Sequence, residues 1–440
     1  MSGVGLFEDL PVSERPAESI VGGRPRLREP VRDQIELRAV DLDSLIAQDH
    51  PARVIWSYVE RLDLGALEAQ VKSREGVAGH PAIAPRLMLA LWLYATSEGV
   101  GSARALARLC AQHDAYRWLC GGVSVNYHTL ADFRVGQGAQ LDRLLTENVT
   151  ALIGAGLIDV DTLCQDGVRV RASAGAGSFR RRARLEDHHA AAQRLVDQLK
   201  GEVDDDPDAS NRRIRAAKER AAQARRARVE AALKTLDQVQ AQSEERARKA
   251  GKTKPKEPRA STTDAEARVM KMADGGFRPA FNVQVVSAAK TPFVIAVEPV
   301  ATGSDRGLLR PGLEAVRARL GRLPKRHLAD GGFTAAPDIE WAHAERIEIY
   351  CPPTQSKHGT DPYQPRQDDG PGVRAWRARM KSPEGQALYS QRPICECIHA
   401  RWRNWNLIQL TVRGIAKVKA VMLCYALANN ILQAHRLATT

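Results

Sequence analysis

At 440 residues the chain is long enough for two or three folding units with substantial cores. Its 65 Lys+Arg outnumber 52 Asp+Glu, and the resulting charge of +13 at pH 7 favours a polyanionic partner, nucleic acid or an anionic membrane. No run approaches the roughly 18 apolar residues of a spanning helix, and the N-terminal stretch lacks the apolar segment of a signal peptide, so a soluble, cytoplasmic chain with nucleic acid rather than membrane as its partner is expected. The seven cysteines, from Cys110 to Cys424, are odd in number and scattered, which fits reduced thiols. Cys395, Cys397 and His399 lie close in sequence but lack a second ligand pair at zinc spacing.

Residues 1–45 are polar and Pro-rich and read as an arm. From 46 to 157 the pattern is helical, through WSYVERL, Pro85 to Tyr94, Ser102 to Leu109 and Tyr127 to Arg134, with Ser102 as an N-cap and Gly121-Gly122 as a break. This predicts an all-α domain. Arg104, Arg108, Arg117 and Arg134 on its short helices fit either a helix placed in a DNA groove or a bundle with solvated arginines.

After Gly154-Ala155-Gly156 the period shifts toward alternation. Residues 160–172 read as a first strand, and residues 181–260 then interrupt the sheet with 21 Lys+Arg against 14 Asp+Glu, an excess of +7. Two weakly apolar stripes, Leu185 to Leu199 and Ile214 to Val239, flank an acidic turn at 204–210 and predict a helical hairpin. It serves either as a basic arm against DNA phosphates or as a solvated hairpin running into the Lys-rich linker at 251–256. Strands follow at 281–286 and 292–297, a helix at 306–320, a strand ending at Asp330, a helix at 337–345 and a strand at 347–351, then helices to the C-terminus. The fold class is α/β, a mixed sheet with an inserted charged helical pair, preceded by helices.

Two acids stand out on this sheet. Asp166 interrupts a strand, where aspartate is poorly suited, and Asp330 ends one just before Gly331-Gly332. Carboxylates gathered at strand ends repel one another unless a cation or a proton intervenes. Pro393 marks the first turn of a helix that puts Glu396 near its N-terminal end, with Arg392 about a turn away and Arg403 seven residues beyond. Oxygen-only ligands suit Mg2+ or Mn2+, and a pair of such ions suits in-line displacement at phosphorus.

The stretches GHPAIAPRLMLALWLYATSEGVGSARALARLC, QDGVRVRASAGAGSFRRR, VMKMADGGFRPAFNVQ, HLADGGF, YSQRPICECIHARWRN and LTVRGIAKVKAVMLCYALANNIL, spread over most of residues 45–435, resemble the DDE transposases of bacterial insertion sequences, in the branch with an N-terminal helical transposase domain. The resemblance implies an RNase H-like catalytic domain over 158–440 with an insertion at 180–260, after an all-α DNA-binding domain at 46–157. It places the two aspartates on Asp166 and Asp330 and the glutamate of a Tyr-x2-Arg-x3-Glu-x6-Lys signature on Glu396, led by Tyr389 and Arg392. Arg403 stands where the signature has Lys, a planar fork in place of a point charge. The resemblance further implies a mobile-element enzyme that binds double-stranded DNA ends as a homodimer. Cleavage and strand transfer would use two Mg2+ or Mn2+ ions, with Asp166, Asp330 and Glu396 as ligands, in the bacterial cytoplasm at the nucleoid. A nuclease that does not join strands and an inactive DNA-binding derivative are the alternatives. Tyr389 and Trp402 are candidates to stack on DNA bases, each weighed against a core position, and Gly414 to Leu432 is expected to pack on the sheet.

Overall fold

The computed structural model describes residues 41–76, 80–201, 209–249, 251, 257–354 and 361–439. The arm expected at 1–45, up to residue 40, lies outside the described residues, as do most of the acidic turn and residues 252–256 of the basic linker.

Seven helices come first: α1 (Pro51–Glu60), α2 (Gly65–Glu68), α3 (Pro85–Ser97), α4 (Ala103–Gln112), α5 (Asp114–Cys120), α6 (Tyr127–Gly136) and α7 (Gly138–Gly154). Their limits follow from local chemistry. Side chains of His50, Ser102, His113 and Asn126 accept backbone N–H groups at the starts of α1, α4, α5 and α6, and Gly121, at φ 55°, ends α5 in the left-handed conformation that glycine tolerates best. Every residue of α3 from Leu87 to Thr96 is buried, as expected of a helix apolar on all sides. Arg134, a candidate for DNA contact, belongs to this core: its guanidinium donates to the Gly101 carbonyl at 2.9 Å and lies 3.9 Å over the Trp92 ring. Arg117 pairs with Asp114, and Arg104 lies over Tyr127.

Strand β1 (Thr162–Arg171) is the centre of the sheet. Next come β2 (Phe179–Arg180), the helices α8 (Arg182–Gly201) and α9 (Ala209–Lys249), β3 (Ala260–Ser261), β4 (Arg268–Lys271), β5 (Phe277–Ala288) and β6 (Val294–Val300). The chain then runs through α10 (Leu309–Leu320), β7 (Arg326–Ala329), α11 (Ala336–Ala344), β8 (Glu348–Tyr350), α12 (Pro371–Lys381), α13 (Pro383–Tyr389), α14 (Ile394–Asn404) and α15 (Ile415–Thr439). The strand order is β4-β5-β1-β7-β8, with β6 also on β5; β5 is antiparallel to β1, β4 and β6, whereas β7 and β8 run parallel to β1. This is the mixed sheet expected from sequence. The short ladders formed by β2, β3 and β4 were not foreseen, since two to four residues give alternation too little length to show.

Helices α8 and α9 lie against each other, with Arg182 on Asp237, His189 Nε2 3.2 Å from Glu230 Oε1, and Arg226 donating to Gln193 Oε1 at 3.1 Å. Partners that rise along one helix and fall along the other define an antiparallel pair, and Leu185, Val229, Ala232, Leu236 and Ala260 form a small core at its root.

Helix α15 corrects one expectation. It is long and apolar enough by length and composition to cross a membrane, yet 72% of its most apolar window is buried, against β6 on one side and α1, α3, α6 and α7 on others. Asn430 inside it accepts the Val294 N–H at 2.8 Å and donates to the Val294 carbonyl and to Asn148, a polar seam that fixes where a greasy helix docks. One continuous apolar cluster therefore includes Leu91 and Val149 of the leading helices, Val170 and Phe281 of the sheet, and Leu427 of α15. A second cluster, with Leu313, Leu328, Ile339 and Trp376, lies among α10, β7, α11 and α12.

Candidate active site

Parallel pairing of β1 with β7 runs to Gln165 opposite Ala329, so the next residue on each strand is an acid, Asp166 on one and Asp330 on the other. β7 stops there. The edge of β1 facing away from β5 stays unpaired until Arg171 bridges to Gln409, which leaves open backbone beside the first acid. Asp166 is held by the Gly167 N–H, 2.8 Å from Oδ1, and Asp330 accepts from the Gly332 N–H at 2.7 Å as it starts a single 3-10 turn. Gly167 is required by close approach: a Cβ there would come within 2.5 Å of Asp305 Oδ1 and of Gln284 Nε2. Those atoms belong to a partly buried cluster in which Asn282, Gln284 and Arg169 all donate to Asp305.

Helix α14 brings the third acid. Its Cys395, Ile398 and Trp402 recur at i, i+3 and i+7 and are all buried, while Glu396, His399 and Arg403 form the adjoining stripe, turned toward β1. Arg392, just before the helix, lies among the acids. Its Nη2 is 3.0 Å from Asp166 Oδ2 and 3.9 Å from Asp330 Oδ2, and its Nη1 is 3.1 Å from Glu396 Oε1. Residues 166, 330 and 396, far apart in sequence, therefore share one guanidinium. His399 completes the cluster, with Nδ1 3.7 Å from Asp166 Oδ2.

The electrostatics follow from burial. Burial pushes the Asp166 carboxyl up to about 6, with Asp330 and Asp305 adding to the rise and Arg392 and the Gly167 N–H opposing it. Burial works against the charge of Arg392, but Asp166, Tyr389 and Asp330 raise its pKa overall. For His399, burial and then the charges of Arg392 and Arg403 pull the ring down to about 4, so it is neutral near pH 7. The Tyr-Arg-Glu signature includes neither His399 nor Asp305. The place of His399, three residues after Glu396, is a clue that the sequence offered; Asp305, in a turn, carried none.

Beyond His399 a groove of about 540 Å3 follows the open edge of β1. Gly167, Val168, Arg169 and Arg171 line its β1 side, with Met272 to Asp274 and Arg278 on one flank and Arg403 and Leu407-Ile408 on the other. Arg169 and Arg278 are paired with Asp305 and Asp274, whereas the side chains of Arg171 and Arg403 have no ion pair or hydrogen bond among the described residues. Arg403 thus faces the groove, one turn of helix beyond His399, and Arg392 faces the acids.

The two candidate stacking aromatics separate. Trp402 is fully buried and meets Tyr425 edge-on at 5.7 Å, so the expectation that it stacks on DNA is corrected: it is a core residue. Its charged neighbours Arg401 and Arg403 project from other sides of the helix and say nothing about its own exposure. Tyr389 is half-buried against the second core cluster. The aromatic exposed near the groove is Phe277, 70% accessible, beside Arg278 at the start of β5.

Among the described residues no three acidic, histidine or cysteine side chains stand close enough to one another to hold a metal ion. Three carboxylates are the donor chemistry that a hard divalent cation takes, but here they surround the Arg392 guanidinium rather than a common point, and burial raises the carboxyl of Asp166, the least exposed of them. The seven cysteines are all free.

Two families match the chain. Residues 40–135 match a family described as Transposase domain (DUF772), and residues 249–431 match Transposase DDE domain. The second match takes in Asp330, Arg392, Glu396 and Arg403, and Asp166 lies ahead of it on the strand paired with both β5 and β7. No curated protein and no solved structure matches. Transposase matches over both the leading helices and the sheet-bearing region, together with the meeting of Asp166, Asp330 and Glu396, give one result: the chain belongs to the DDE transposases of insertion-sequence type.

Proposed function

We propose that the chain binds the ends of an insertion sequence and catalyses DNA cleavage and strand transfer, with Asp166, Asp330 and Glu396 as the catalytic acids. The observation that supports this most is the convergence of the three carboxylates on Arg392, because acids that need a cation to stay together are what phosphodiester chemistry requires. In this reading the sheet is RNase H-like and spans 158–440, the helical residues 46–157 contact DNA as a domain continuous with it in core, and α8 with α9 forms a hairpin inserted at 180–260.

Asp166, Asp330 and Glu396 would hold Mg2+ or Mn2+, and bound ions of this kind polarise a phosphate and acidify water. Arg392 neutralises the acids and, once they have another cation, is free to pair with a phosphate oxygen. His399 packs beside Asp166 without adding charge. Arg171 and Arg403 offer open cations to the backbone of a strand in the groove. Two protomers would bring two ends together in the bacterial cytoplasm.

The test is Mg2+- or Mn2+-dependent processing of a supercoiled plasmid carrying the element's terminal repeats, with wild type and Asp330→Asn side by side. Joined products from wild type and none from the variant are expected. Nicks without joining would reduce the reading to a nuclease, no processing at all would leave a DNA-binding protein only, and equal activity of the two proteins would overturn the site.

A further inference from the structure

A second basic cavity, of about 310 Å3, lies at the root of α8 and α9. Arg225 and Arg228 of α9, His188 of α8, Thr262 and Thr263 after β3, and Arg413 before α15 line it. Four separate chain segments therefore contribute to one small, polar concavity with no acid in its lining.

The cations there are uncommitted. Arg225, Arg228 and Arg413 are exposed, and among the described residues Arg225, Arg228 and His188 have no side-chain partner. Arg413 uses only Nε, donating to the Ser173 carbonyl at 3.3 Å. Two acids close to the lining residues in sequence are engaged elsewhere: Asp264 accepts from the Gly414 N–H at 3.2 Å and Glu266 from the Ile415 N–H at 2.9 Å, at the start of α15. All three arginines line a cavity that has no acid in its lining.

Position gives the cavity meaning. Ser173, which Arg413 grips, is two residues beyond Arg171 in the groove along β1. The groove beside β1 holds the open cations Arg403 and Arg171, and the cavity holds Arg413, Arg228 and Arg225, the two linked through the contact of Arg413 with Ser173. The Thr263 hydroxyl adds a donor suited to phosphate oxygens, while that of Thr262 donates to the Ser178 carbonyl at 3.4 Å.

We infer that this cavity is a phosphate-binding site for the DNA backbone, holding the duplex at a distance from the scissile bond and anchoring it to the base of the inserted helices. The inference rests on the transposase reading above. A site of this kind positions without reading bases, so it binds any duplex and depends on salt.

Full-length protein is titrated against a 40-base-pair duplex of arbitrary sequence in EDTA, across a salt series, as wild type, as Arg225→Gln/Arg228→Gln/Arg413→Gln, and as Arg184→Gln/Arg194→Gln/Arg220→Gln. The last removes equal charge from exposed positions of α8 and α9 outside the cavity. Each lost phosphate contact lowers the slope of log K against log salt by about 0.9, so the cavity variant should lose about 2–3 in slope and roughly 10- to 100-fold in affinity at fixed salt. The control should lose less than about 1 in slope. Thermal unfolding of both should match wild type. Equal losses in the two variants, or none in the cavity variant, overturn the site. Saturable ATP binding lost in the cavity variant, with the DNA slope intact, overturns it in favour of a free nucleotide. Wild type that neither binds nor cuts DNA would instead sink the transposase reading, whereas wild-type activity with an unaltered cavity variant removes this inference alone.

Discussion

Replacing Asp166 by asparagine should make the metal-free protein more stable at neutral pH, although it removes one of the acids proposed as catalytic. In the folded chain burial pushes the Asp166 carboxyl to about 6, against an ordinary 3.8. A carboxyl whose folded pKa is raised contributes stability below its unfolded value and loses it as pH climbs through the folded one. That window is roughly pH 4 to 6, and a rise of about 2 units costs about 3 kcal/mol once the group is fully ionised. Asparagine keeps the shape and removes the charge, so the difference between variant and wild type should be near zero at pH 4, open through pH 6 and stay level above it. With an unfolding entropy of about 2.1 cal/mol/K per residue, a chain of 440 residues gives a shift of about 3 °C in Tm. Calorimetry in EDTA from pH 4 to 8 measures this. A variant no more stable than wild type at pH 7.5, or a difference that does not change across pH 4 to 6, would refute the claim that Asp166 is held charged at a cost. Excess Mg2+ should raise the wild-type Tm and leave the variant's nearly unmoved.

Arg392→Gln removes the cation shared by the three acids, and the metal-free variant should lose about 3 kcal/mol at pH 7.5, by chemical denaturation, with part of that loss recovered at pH 5 where Asp166 takes a proton. Gly167→Ala puts a Cβ against Asp305 and Gln284; an overpacking cost of about 1–3 kcal/mol and a marked fall in DNA cleavage should appear together, in denaturation and plasmid assays. Trp402→Ala should cost about 3–5 kcal/mol, because the ring is fully buried, while Phe277→Ala should change stability by less than about 0.5 kcal/mol, a contrast that thermal unfolding resolves directly.

Much of this architecture was legible from spacing. The alternation after residue 160, the strand ending at Asp330 and the helix opened by Pro393 all carry local signals, and the structure has β1, β7 and α14 at those places. The pairing of Asp166 with Asp330 at one level of the sheet was not legible, because register between strands 164 positions apart is set by tertiary packing rather than by either sequence. Burial was misread where charge and bulk adjoin. Trp402 between two arginines suggested a DNA-facing cluster, but the stripe Cys395, Ile398, Trp402 already marked it as core. Arg134 defied charge-based expectation for the opposite reason: the Gly101 carbonyl, the Thr411 hydroxyl and the Trp92 face hold a buried guanidinium that sequence cannot distinguish from a solvated one. Asn430 of α15 gave no warning that it anchors the helix in place, since its partners, Val294 and Asn148, lie in different parts of the chain.

Helix α14 shows why the core and the site cannot be treated separately. One stripe of it, Cys395, Ile398 and Trp402, is locked into the interior, and the adjoining stripe carries Glu396, His399 and Arg403. Because successive residues on a helix are fixed about 100° apart, the packing of the first stripe sets the aim of the second. Trp402 also touches Tyr425 of α15, whose hydroxyl donates to the Trp405 carbonyl at 3.0 Å. α15 in turn packs on α1, α3, α6 and α7. The leading helices are therefore joined, through α15, to the helix that carries Glu396. The leading helices, α15, and Ile398 and Trp402 of α14 thus belong to one continuous apolar cluster, and the side chains that hold Trp402 in it also set the direction in which Glu396, His399 and Arg403 project.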